Sequence, residues 1–225
     1  MTTMNKRLLL LLYFCLFSAF ALAQKDDFGI WYNVKAKTGL ANKLDLGITG
    51  SIRTFNKASD INQAFIDWGL DYKLFKYLST SVSYRIIFNR EEDTHYYLRH
   101  KLYLELKTSL PVKNFTFSAG MRFQHTTRTY YANDEDKVSR YYGRLKFKAA
   151  YDSPVFFINP YITTAIYIPM FSGSGQVPGK MRYSAGLDIK ISRKSNFEVE
   201  YIFQRDYIPD LSDISILSLG YAFKF

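Results

Sequence analysis

Three histidines, His95, His100 and His125, are the whole supply of imidazole in these 225 residues. A membrane-embedded acyl hydrolase needs a hydroxyl nucleophile beside a histidine base, often two residues away on one strand face. The positions two after each histidine are Tyr97, Leu102 and Thr127. Only His125 with Thr127 resembles that arrangement, and no acid stands in sequence to orient the base, so the pair reads as an interfacial polar pair. A second chemistry sets a carboxylate and a histidine across a lumen to activate water. Asp67, Asp71, Glu198 and Glu200 are the acids available for it, but a larger set of cations faces them: Arg85, Arg99, Lys101, Arg122, Arg140, Arg144, Lys146 and Lys148. Opposite charges across a narrow interior pair with each other first, so no catalytic residue is assigned and no cofactor is expected.

Metal and phosphate motifs are equally thin. Glu91-Glu92-Asp93 and Asp134-Glu135-Asp136 lack the alternating ligands and central glycine of a calcium loop and read as solvated links. Gly173-Ser-Gly-Gln-Val-Pro-Gly-Lys is one residue off phosphate-loop spacing, and Met181 stands where Ser or Thr is required. The sequence predicts no metal site.

The elements that carry these residues are strands. Leu44, Leu46, Ile48 and Ile52 alternate with Asp45, Thr49, Ser51 and Arg53. Ile66, Trp68, Leu70 and Tyr72 alternate with Asp67, Gly69, Asp71 and Lys73, and Val82, Tyr84, Ile86 and Phe88 with Ser81, Ser83 and Arg85. The same period of two continues through Leu98–Leu106, Phe115–Phe123, Tyr141–Tyr151, Met181–Ile191, Phe197–Phe203 and Leu217–Phe225. Val155–Ile168 is apolar on both faces and leaves its register open. The runs are about 10–15 residues against a soluble mean near 5–6. At about 3.3 Å per residue and a tilt near 40°, about twelve residues cross the roughly 25 Å apolar band of an outer membrane.

The ends set the compartment. Lys6 and Arg7, the apolar run Leu8–Leu22 and the closing Ala21-Leu22-Ala23 have the order of a secretory signal cleaved after Ala23. Cys15 lies inside that run, so the mature chain has no cysteine, which excludes disulfides, thiol catalysis and thiolate metal sites. The organisation is then a signal peptide over 1–23 and one barrel domain over 24–225. With no mature stretch of 18 apolar residues, a membrane crossing requires a closed barrel, the other structure that satisfies every backbone group in lipid. The formal charge is +10, two of it from Lys6 and Arg7. In an exported protein that charge fits lumen pairing and anionic headgroups rather than nucleic acid. Nineteen Tyr and nineteen Phe suit strands and membrane-interface girdles.

Short turns are expected at Gly39–Asn42, Phe75–Leu78, Pro111–Asn114, Asp152–Pro154 and Ser192–Ser195, and longer links at Asn56–Asn62, Arg90–Thr94, Thr127–Lys137, Pro169–Lys180 and Asp206–Asp213. Bacterial barrels keep short turns in the periplasm, so the closing strand descends to Phe225. Tyr221, Phe223 and Phe225 resemble the aromatic assembly signal read by the barrel assembly machinery. The fold class is therefore all-β, an antiparallel transmembrane barrel of about 10–12 strands in the outer membrane of a double-membraned bacterium, among lipids that include lipopolysaccharide. Eleven segments are legible, whereas single-chain bacterial barrels have even counts. Either ten strands from Lys43 onward form the wall with Phe28–Thr38 threaded inside or lying below it, or a boundary is misread and the wall has twelve.

The order of short motifs resembles a family of uncharacterised outer-membrane barrels, domain-of-unknown-function family 2490. The resemblance rests on Trp31, Leu44-Asp-Leu, Arg53, Trp68-Gly-Leu-Asp-Tyr-Lys-Leu and Ser83-Tyr-Arg. It continues through Leu98-Arg-His-Lys-Leu, Arg140-Tyr-Tyr-Gly-Arg-Leu-Lys, Asn159-Pro-Tyr, Arg182-Tyr-Ser-Ala-Gly-Leu-Asp and Phe197-Glu-Val-Glu-Tyr to the closing Leu219-Gly-Tyr-Ala-Phe-Lys-Phe. After Asn159-Pro-Tyr this chain reads Ile-Thr-Thr-Ala, where the family pattern tends to place an acid. The resemblance implies the barrel and supplies no activity. Function is expected to be non-enzymatic, either a structural element or a narrow porin-like channel leaning to anions; the alternative is a hydrolase acting on lipid or peptide.

Overall fold

The computed structural model describes residues 27–91, 95–128, 140–154, 157–170, 178–207 and 211–225. The expected signal peptide, the acidic run 134–136 and most of the glycine-rich stretch 171–177 lie outside them, as do Glu92 and Asp93.

Within the described residues the chain is all strand. β1 (Asp27–Ala41), β2 (Leu44–Phe55), β3 (Asp60–Phe75), β4 (Leu78–Arg90), β5 (Tyr96–Val112) and β6 (Phe115–Arg128) form the first half. The second half is β7 (Arg140–Tyr151), β8 (Ile158–Met170), β9 (Lys180–Lys190), β10 (Ser195–Asp206) and β11 (Ser212–Lys224). Each strand pairs antiparallel with its sequence neighbours, and β1 closes the ring against β11.

That closure is parallel, from Asp27 beside Ile214 to Lys37 beside Lys224. The expectation of ten or twelve wall strands is thus corrected to eleven, with Phe28–Thr38 in the wall. Parity gives the reason. In a ring whose sequential strands alternate in direction, an odd count leaves the first and last pointing the same way. A parallel pair still satisfies the backbone of both strands, although slightly less stably per residue. Asn33 Nδ2 donates to Ser218 Oγ at 3.1 Å across the seam, and the Phe225 amide donates to the Lys37 carbonyl at 2.9 Å below it.

The seam's other end is tied down by a carboxylate. Asn56, Lys57 and Ala58 all adopt positive φ, at 53°, 57° and 64°. Their backbone turns inward, and the amides of Asn56 and Lys57 donate to Asp27 at 3.2 and 3.1 Å while that of Ala58 donates to the Phe28 carbonyl at 3.0 Å. Successive N–H groups curled in this way form an anion-binding concavity, here filled by the chain's own Asp27.

Several boundaries differ from the sequence reading. The turns expected at Gly39–Asn42 and Pro111–Asn114 fall two residues and one residue later, at Asn42-Lys43 and Lys113-Asn114. Glycine and proline drew the expectation, yet the positive-φ positions are taken by Lys43 (66°) and Lys113 (54°), and no described glycine has positive φ. The link expected over Asn56–Asn62 shrinks to 56–59 because β3 begins at Asp60. In β8 the pairing fixes the register left open: Tyr161, Ala165 and the intervening Thr163 share a face, with Tyr161 opposite Gly186.

Gly186 explains itself at that point. A Cβ there would lie 2.5 Å from the Tyr161 ring, so the phenol lies flat over the bare backbone. Its hydroxyl then reaches Glu198 at 2.5 Å. Glycine to alanine in a strand interior ordinarily stabilises by about 0.5–1 kcal/mol. Gly186→Ala is expected to do the opposite, destabilising by about 1–3 kcal/mol through overpacking, measured as a fall in the temperature at which the folded band converts to the unfolded band on a gel.

The burial pattern is the reverse of a soluble sandwich. Val34, Leu104, Met121 and Ile162 are each more than half exposed on the outer face, while Trp31, Phe65, Ile87, Tyr103 and Tyr161 are buried facing inward. Aromatic pairs line the outward rims, among them Phe115 with Tyr151 at 5.2 Å and Phe223 with Phe225 at 4.8 Å.

Candidate functional site

Alternation aims the charged side chains of the wall inward. Two cavities lie end to end inside the ring, of about 340 and 350 Å³. Six residues line both and mark where the cavities meet: Arg53, Arg85, Arg122, Arg144, Tyr167 and Arg182, from β2, β4, β6, β7, β8 and β9. This waist carries five guanidinium groups.

The upper cavity, toward the long links, adds Arg99, Lys101, Arg128 and Lys180 and, among the described residues, a single carboxylate, Asp206. The lower cavity adds Lys35, Lys146 and Lys148 together with Asp67, Glu198 and Glu200. The lumen is therefore graded along its axis, strongly basic above the waist and mixed below.

Ion pairs account for part of that charge. Arg85 meets Asp67 through Nε at 2.8 Å and a terminal nitrogen at 2.7 Å. Arg122 and Arg144 converge on one oxygen of Glu105, Arg144 at 3.0 Å. Arg99 pairs with Glu91, and Lys180 with Asp206 at 2.9 Å. Below the waist Lys35 approaches Glu198 at 3.6 Å, and Lys37 bridges Asp45 and Asp71 at 3.2 and 2.9 Å.

The rest of the waist is held by aromatic faces. Arg53 lies over the Trp31 ring at 3.9 Å and the Phe65 ring at 4.8 Å. Arg182 lies over Trp31 at 4.9 Å and donates to Gln204 and Tyr167 at 2.7 and 3.0 Å. Arg85 stacks on Phe65 at 3.8 Å, and Arg122 on Tyr103 at 4.6 Å. Cation–π contact satisfies the guanidinium plane and leaves its edge of N–H donors free for other partners. The Nε atoms of Arg53 and Arg144 are buried with no hydrogen-bond partner among the described residues.

Of the residues singled out from sequence, Arg85, Arg99, Lys101, Arg122 and Arg144 gather at the upper cavity. Lys146, Lys148, Asp67, Glu198 and Glu200 lie at the lower one. Asp71 is held by Lys37 nearer the short turns. Arg140 opens β7 opposite Thr126. Arg53, Arg182, Lys180, Glu105 and Tyr167 were not singled out. The first four follow from the same alternation; Tyr167 belongs to the segment apolar on both faces, where only its spacing from Asn159 and Tyr161 marks the inward side.

The histidines are elsewhere. His100 lies on the outward face, its Nδ1 2.8 Å from the hydroxyl of Tyr84, and the register sets it opposite Thr127. His125 stacks on Tyr141 at 4.5 Å, its Nε2 is buried without a partner, and no hydrogen bond joins it to Thr127. His95 stands at the long-link rim with its ring 6.5 Å from that of Tyr97. The lumen carboxylates consequently have no imidazole from the described wall strands beside them. A further concavity, about 670 Å³, is an apolar dent of the outer face lined by Leu110, Phe117, Phe147, Ile162, Tyr183 and Tyr201, and it offers little polar chemistry.

A closed ring of long strands with an apolar exterior and a charged interior defines the outer-membrane type of β-barrel. The chain belongs to the family described as "Protein of unknown function (DUF2490)", whose model matches residues 28–213. Among solved structures it is similar to the beta domain of the Bordetella autotransporter Brka, at 12% identity and a TM-score of 0.52, covering 82% of this chain and 85% of that one. It is also similar to a bacterial polysaccharide outer membrane secretin, at 9% identity and a TM-score of 0.50, covering 76% and 72%. Both likenesses concern the fold. No curated protein matches the chain.

Proposed function

We propose that this chain is an outer-membrane protein whose lumen is a narrow, anion-leaning passage. Residues 1–23 act as its export signal, cleaved after Ala23. Tyr221, Phe223 and Phe225 present the closing strand to the barrel assembly machinery. The long links face outward among lipopolysaccharide, and the lysines beside the short turns, Lys43, Lys73, Lys76 and Lys113 among them, face the inner leaflet.

The observation that carries this reading is the waist. Two lumen cavities meet at five arginines, and rings of arginine and lysine favour anions over cations in a pore. The basic upper half would concentrate anions ahead of the waist. The mixed lower half would bind them less, which multi-site passage needs if ions are to leave. The reading is non-enzymatic: His125 and Thr127, the pair in the sequence that most resembles a base and its nucleophile, are not joined by a hydrogen bond.

Folded protein in a planar bilayer under a KCl gradient is expected to give a reversal potential on the chloride side of zero. A folded barrel that passes no current would remove the passage and leave a structural element.

A further inference from the structure

We infer that the upper cavity is a saturable binding site for a compact, multiply charged phosphate group. The inference rests on the same basic lumen as the passage proposed above and adds a ligand to it.

The charge count is the starting point. Among the described residues, nine lysines and arginines line the cavity against one carboxylate. The acids that pair with Arg85, Arg99, Arg122 and Arg144 are absent from that lining. Asp67 holds Arg85 from the lower cavity, and Glu91 and Glu105 hold Arg99, Arg122 and Arg144 from outside the upper lining. Three of the nine, Arg53, Lys101 and Arg182, have no carboxylate partner among the described residues. Lys101 lies between Arg99 and Tyr103 on β5, opposite Arg85 of β4, and its side chain makes no hydrogen bond or ion pair among the described residues.

Partly enclosed cations without counter-charges are expensive to hold together, and one way to compensate them is a bound anion. The donors are also arranged for one. Arg53 and Arg182 are fixed by their ring contacts on Trp31, so their forks lose little freedom on binding. The buried Nε of Arg53 and that of Arg144 are donors still waiting for an acceptor. Three uncompensated positive charges call for a ligand with two or three negative ones, and the fork geometry of arginine matches phosphate oxygens. A volume of about 340 Å³ is ample for a phosphate ester or pyrophosphate. The ester can come from a soluble metabolite or from a lipid headgroup entering past the long links.

Calorimetric titration of the folded, detergent-solubilised barrel with inorganic pyrophosphate tests this, with acetate at equal ionic strength as the control. Saturable binding of pyrophosphate and not of acetate is expected. Lys101→Gln removes a cation that holds no partner and so leaves folding intact. It is expected to weaken binding about tenfold or more, the worth of one charge-assisted hydrogen bond. Arg182→Gln should do the same. Absence of saturable binding, or unchanged affinity in folded Lys101→Gln and Arg182→Gln proteins, would overturn the site. Competition by micellar phosphatidic acid would assign a headgroup, and its absence a soluble ester. A barrel that conducts chloride yet binds no pyrophosphate sinks the site alone; one that binds pyrophosphate yet conducts nothing sinks the passage alone.

Discussion

Replacing Glu105 by Gln is expected to destabilise the barrel by about 3 kcal/mol, the cost of leaving enclosed charges without their partner. Glu105 is the one carboxylate on which Arg122 and Arg144 converge. Its side chain is 14% exposed, and so is that of Arg144. The amide keeps the shape and still accepts a hydrogen bond, but two guanidinium groups then face each other uncompensated. The loss should appear in urea unfolding monitored by tryptophan fluorescence. Adding Arg122→Met to Glu105→Gln should recover a large part of it, since the pair of substitutions removes one charge of each sign. If the double variant is no more stable than the single one, repulsion at this triad is not what Glu105 relieves.

Converting Arg53 and Arg182 together to Glu is expected to reverse the ion preference of the proposed passage. The two sit at the waist, and neither is committed to a carboxylate, so the exchange breaks no ion pair. Four units of charge change at the lining the two cavities share, and a focused field of that size alters local ion concentration on the order of tenfold or more. The reversal potential under a KCl gradient should change sign. The neutral pair Arg53→Gln with Arg182→Gln should fall between the two. A pore whose selectivity ignores both changes would place its filter elsewhere in the wall.

Much of this arrangement is written in the order of the residues. The period of two puts Arg85, Lys101, Arg122 and Arg144 on one side of their strands and Leu102, Leu104 and Met121 on the other, because successive side chains leave a strand in opposite directions. Strand length separates a membrane wall from a soluble sandwich. What alternation cannot give is height and partner across the ring. That Arg122 and Arg144 share Glu105 depends on register between β5, β6 and β7, and that Arg53 and Arg182 share Trp31 depends on closure, with β2 and β9 brought to the two sides of the seam. The turns were misplaced where glycine and proline stood in for the conformation itself, which Lys43 and Lys113 adopt instead. The strand count was left between ten and twelve because an even rule was set beside eleven legible segments, and all eleven are wall strands.

The seam between β1 and β11 has a consequence for the ring as an assembled object. Asp27 and Lys224 stand at opposite rims, so β1 is the strand left over when the other ten are taken as hairpins tipped by their long links. Without it, β2 and β11 already run in opposed directions and could mate edge to edge. The chain thus contains a smaller ring inside its own order. With β1 between β2 and β11, the circumference is one strand wider than that ten-stranded ring.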